Sequence, residues 1–83
     1  MTVGDLIKKK DYDYISWRAV VSISPDEEDD IFAGCSKSEN GELISLDGDT
    51  YSKNTEVLKY EEWEDSEEGI INGLTVFYRG YKI

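Results

Sequence analysis

Six of the nine side chains from Tyr60 to Glu68 are carboxylates: Glu61, Glu62, Glu64, Asp65, Glu67 and Glu68, with Trp63 set among them. A second run, Asp26-Glu27-Glu28-Asp29-Asp30, is acidic throughout, and Asp47, Asp49 and Glu56 bring three more oxygen donors to a turn-rich stretch. Carboxylates at this density offer three chemistries. They can exchange protons as a catalytic pair, ligate a hard cation, or present a negative surface to a basic partner.

The first has little support. A glycosidase-type pair needs a cleft between its carboxylates, and 83 residues leave little room for one. The chain has no histidine, which removes the usual triads, and no serine-lysine signature stands in for them. Gly48, Gly69 and Gly73 fall at expected turns and form no phosphate-binding loop. The expectation is a protein that is not an enzyme.

For the second, a calcium loop begun at Asp47 would require a glycine and a glutamate where the sequence has Ser52 and Leu58. A looser divalent-metal site built from Asp47, Asp49 and Glu56 is one expectation. The plainer one is a turn whose aspartates hydrogen-bond their own backbone.

The third uses both acidic runs. If residues 60–64 are extended, Glu62 and Glu64 project from one side about 6.7 Å apart, and Glu67 and Glu68 continue the negative track. Such a track suits a groove built for a nucleic-acid backbone, with Tyr60 and Trp63 as apolar anchors. The alternative makes Trp63 core and the glutamates its solvated side. The run at Asp26, Glu27, Glu28, Asp29 and Asp30 reads as an exposed solubilising loop, and it joins the first only if the fold sets the two side by side.

Composition points the same way. Nineteen acidic and nine basic residues give a net charge of -10, and no basic cluster exceeds Lys8-Lys9-Lys10. Direct binding to nucleic acid is not expected, and a basic protein partner is. Residues 1–24 are net +1 and residues 25–83 net -11. Cys35 is the lone cysteine and cannot form an internal disulfide; with no apolar leader or membrane-length run, the protein reads as cytoplasmic.

One domain over residues 1–83 must position these groups. Thr2 can cap a helix with Asp5 reaching back, while Val3, Leu6 and Ile7 share a face and the three lysines follow at its negative end. From Ile15 to Ile23 the apolar period becomes two, and Ser24-Pro25 ends that strand. Residues 31–36 and 43–46 flank Asn40-Gly41, a strong hairpin signal. Residues 56–63 favour strand over helix, residues 65–69 a charged loop, and Asn72-Gly73 a turn before a last strand over residues 74–81, apolar on both faces and so central or covered by the helix. The expected fold is α+β: an N-terminal helix packed on a four- to five-stranded, mainly antiparallel sheet.

Thr2-Val3-Gly4-Asp5-Leu6-Ile7, Leu46-Asp47-Gly48-Asp49 with Tyr51, Tyr60-Glu61-Glu62-Trp63 and Gly73-Leu74-Thr75-Val76 together resemble the small acidic proteins carried by phages and mobile elements of Firmicutes. That population includes anti-CRISPR proteins against type II systems. The resemblance implies an inhibitor acting in the host bacterial cell, which binds an RNA-guided effector nuclease and interferes with its nucleic-acid binding. A homodimeric accessory protein is a further alternative.

Overall fold

Thr2 starts the one helix among the described residues. Its side chain accepts from the Asp5 amide at 3.3 Å while the Asp5 carboxylate accepts from the Thr2 amide at 2.9 Å, so two otherwise unpaired donors are satisfied reciprocally. In the computed structural model, which describes residues 1–67, 69 and 71–80, this helix is α1 (Val3–Ile7). It is shorter than the sequence pattern suggests. Lys8 already serves as its C-cap, so Lys9 and Lys10 lie beyond the helix rather than in its last turn.

Five strands follow: β1 (Tyr14–Ser24), β2 (Glu27–Glu39), β3 (Glu42–Ser45), β4 (Lys59–Asp65) and β5 (Ile71–Arg79). They form one sheet in the order β3-β2-β1-β5-β4. The sheet is mixed: β1 runs parallel to β5, and the other three pairings are antiparallel. The expected strand number holds, and β5 is an interior strand between β1 and β4 whose Leu74 and Val76 lie in the cluster with α1. Tyr81, placed in that strand from sequence, lies outside the described residues.

α1 covers one face. Val3, Leu6 and Ile7 pack with Tyr12, Ile15, Trp17, Leu74 and Val76 in a single buried cluster. Residues 46–58 extend this cover: Tyr51 stacks on Trp17 with ring centroids 4.9 Å apart, and the amides of Val3 and Gly4 donate to the carbonyls of Thr55 and Lys53. Two buried serines of β2 complete the layer. Ser36 accepts from the Trp17 indole and Ser38 from the Tyr12 amide, each at 2.8 Å, which is why this strand is not apolar at its inward positions.

Three local expectations are corrected. Glu27, Glu28, Asp29 and Asp30 are strand rather than loop: the β1–β2 turn is confined to Pro25 and Asp26, and both faces of β2 at this end reach water or arginine. Asn72-Gly73 is not a turn but the start of β5, where Gly73 leaves room for the Trp63 ring lying across it. Ile23, grouped with the inward residues of β1, is exposed, because the register shifts between Ser22 and Ser24 as the strand ends. The Asn40-Gly41 turn is as expected, with both residues at positive φ (53° and 80°).

Candidate functional site

Among the described residues β4 pairs only with β5, which makes it an edge. Its side chains alternate between the faces. Tyr60, Glu62 and Glu64 stand on the α1 side, and Lys59, Glu61, Trp63 and Asp65 on the open side. Contacts on each side agree with this division. On the α1 side the Tyr12 hydroxyl donates to Oε1 of Glu62 at 2.8 Å and Lys10 Nζ lies 3.8 Å from its Oε2. On the open side Lys59 Nζ sits 4.4 Å from the centroid of Phe77, and the Trp63 indole donates to Thr75 Oγ1 at 3.2 Å.

Beyond Lys59 and Tyr60 the edge is negative. Among the described residues, Glu61, Glu64, Asp65 and Glu67 have no ion-pair partner, and all four are exposed. Asp65 accepts from the Glu67 amide at 3.1 Å, which carries the chain out of β4. Glu68 lies outside the described residues. Tyr60 is 42% exposed, whereas Trp63 is half-buried: it covers Gly73 and tilts against Tyr14 at 6.0 Å. Trp63 thus belongs to neither extreme, being seated against the open face and outside the core under α1.

The second acidic run is elsewhere. Asp30 is level with Val20 of β1, and Val20 with Arg79 of β5, whereas Asp65 is level with Ile71. Glu61 is level with Thr75, so four to eight positions of β5 separate the two runs, on the order of 13 to 26 Å along the strands, and two strands intervene across the sheet. Two of that run's five charges are also spoken for. Arg18 pairs with Asp30 and Arg79 with Glu28, both at 2.8 Å, while Asp26, Glu27 and Asp29 project to solvent. These pairs border a shallow groove of about 460 Å³ whose apolar lining is Val20, Leu58 and Phe77. The two runs therefore do not form one surface.

Asp47, Asp49 and Glu56 are not brought together. Asp47 accepts from the Tyr51 and Ser45 hydroxyls and from the Cys35 and Asp49 amides, so its oxygens organise the loop against the bulge in β2. The Tyr51 hydroxyl, then the amides of Asp49 and Cys35, pull its carboxyl down to about 2. Glu56 instead bridges by its backbone to Thr2 and meets the Met1 ammonium at 3.4 Å. Among the described residues no group of three or more histidine, cysteine, aspartate or glutamate side chains is placed to hold a metal ion. The residues read as a looser cation site are thus a turn and a terminus clamp.

Burial and the hydrogen bond to Glu62 push the Tyr12 phenol upward, so Tyr12 stays a donor to Glu62 across the physiological range. Tyr12, Lys10 and Tyr14, which hold Glu62 and Trp63 in place, were not singled out from sequence; their role depends on pairing with residues fifty positions away. Gly73 carried a usable signal, since an isolated glycine within a strand marks a close approach.

Among the described residues no helix is long and apolar enough to cross a membrane. Comparison with protein-family models finds no match, and neither the search of curated proteins nor that of solved structures finds a similar chain.

Proposed function

We propose that the protein is a non-enzymatic inhibitor that binds a basic nucleic-acid-binding protein through β4 and competes with nucleic acid for it. The observation that carries this reading is the edge strand itself. Glu61, Glu62, Glu64 and Asp65 occur within five residues on both faces of an uncovered edge, three of them without a cation among the described residues, beside the aromatic rings of Tyr60 and Trp63. Negative charge gives long-range attraction to a phosphate-binding channel, and the rings supply the desolvated contact that charge alone lacks. The resemblance to phage proteins favours an RNA-guided effector nuclease of a type II CRISPR system as the target.

The run at Asp26, Glu27, Glu28, Asp29 and Asp30 has no part in this surface; its distance from β4 and its arginine pairs leave it a solubilising role. Pull-down of the effector nuclease, followed by a cleavage assay at low and moderate salt, tests the proposal. Inhibition that weakens with salt supports it. Absence of any complex with basic nucleic-acid-binding proteins at low salt would sink it.

A further inference from the structure

We infer that the outer edge of β4 receives an extended, lysine- or arginine-rich strand of the partner, which continues the sheet past β4. The inference rests on the proposed function for the partner's charge; the manner of docking comes from the edge. Among the described residues, no backbone group outside the sheet pairs with Lys59–Asp65, so one side of this strand offers a row of free donors and acceptors. Natural sheets blunt such edges with a bulge, a proline, a covering segment or short length. β4 has an unbroken register with β5 and contains no proline over its seven residues; the opposite edge is the four-residue β3, continued by residues 27–35 of β2, whose pairing with β1 is broken by two register shifts.

Charge remains as the only guard, and it is selective. Two copies of β4 laid antiparallel and centred on Glu62 set that residue against itself, though Lys59 of each copy then faces Asp65 of the other. Shifting by one residue sets Glu61 against Glu64, and by two Glu62 against Glu64. Like charges directly opposite oppose pairing, so a second copy is disfavoured in the two shifted registers, and only the centred one has Lys59 to offset the repulsion. A strand with basic residues opposite Glu61, Glu62, Glu64 and Asp65, and a small residue opposite Trp63, meets the same edge with attraction at each position. Main-chain bonds then give affinity and alternate side chains give specificity.

The test uses the intact protein and a short lysine-valine peptide, alongside two versions of identical charge that are N-methylated at alternate amides in the two phasings. The expected result is that the unmodified peptide slows hydrogen exchange at β4 amides. The phasing that blocks the facing donors should bind at least about tenfold more weakly and give no protection. Equal binding by all three peptides, protection centred elsewhere than β4, or a dimer protected at β4 without peptide would each overturn the inference. The two readings fail separately. If the effector nuclease is bound but the three peptides compete with it equally, docking by strand addition falls and the proposed function stands. If the unmodified peptide docks on β4 while no nucleic-acid-binding protein is captured, the reverse holds.

Discussion

The hydroxyl of Tyr12 reaches Oε1 of Glu62 at 2.8 Å, joining the segment that leaves α1 to the edge strand fifty residues later. Burial of the phenol ring and ionisation of its acceptor make this a charge-assisted bond that a Tyr12→Phe variant removes without altering packing. The variant should lose roughly 1–2 kcal/mol, seen as a lower urea midpoint with unchanged slope. An unchanged midpoint would show that Glu62 is held by Lys10 alone.

Ser36→Ala leaves the Trp17 indole N–H without its acceptor in a site where Trp17 is 2% exposed. An unsatisfied buried donor costs roughly 1–3 kcal/mol, more than the small volume change. Equilibrium denaturation should therefore rank this variant below Tyr12→Phe, and the reverse order would show that the edge bond is the costlier one to lose.

Asp47 is depressed in the folded protein to about 2 by Tyr51 and by the amides of Asp49 and Cys35. A carboxylate lowered on folding contributes stability that is complete above its unfolded value, near 3.8, and is lost as pH falls through the folded one. Melting temperature should thus drop between about pH 4 and pH 2, and Asp47→Asn, already less stable at neutral pH, should show a flatter profile there. Parallel profiles for the two proteins would assign the acid sensitivity to other groups. On the alkaline side, Tyr12 and Tyr51 are both raised, chiefly by burial and then by their carboxylate acceptors. Their contribution is present below about pH 10, the ordinary phenol value, and falls away as pH climbs through the raised ones.

A methyl group on Gly73 would run into the Trp63 indole. Gly73→Ala should lift the ring from its seat against Thr75 and Tyr14, costing roughly 1–3 kcal/mol and weakening the near-ultraviolet dichroism of the tryptophan. A signal identical to that of the native protein would mean the ring is not seated on β5.

Glu61 and Glu64 are exposed and lack cation partners among the described residues, so a Glu61→Lys, Glu64→Lys double variant should fold with stability within about 0.5 kcal/mol per site of the parent. Its association with the basic target should slow by roughly tenfold or more at low salt, with the difference shrinking as salt rises. A Glu28→Gln, Asp30→Asn variant should bind as the native protein does. The reverse ranking would move the interface to the far end of the sheet.

Local signals carried much of this architecture. Thr2 with Asp5, the alternation from Ile15 to Val21, Asn40-Gly41, and the Val, Tyr and Trp of residues 57–63 each name their element through short-range chemistry. What they could not name was pairing. Residues 27–30 look like loop because adjacent like charges repel, yet Arg79 stands 51 residues from the Glu28 it neutralises and Arg18 twelve from Asp30. The parallel match of β1 to β5 is equally silent in the sequence, since a period of two is the same in either direction. Asp47 and Glu56 are nine positions apart and serve different anchors, a separation no spacing rule reveals.

The parallel pairing of β1 with β5 also sets the order in which the molecule can assemble. Every contact in it joins residues roughly sixty positions apart, and Leu74 and Val76 form the floor beneath α1. The β1–β2–β3 meander can close from its own turns, but the helix has no complete surface to settle on until β5 inserts beside β1. Such long-range pairing slows folding relative to local contacts, and the acidic edge does not exist as a surface until β5 is in place.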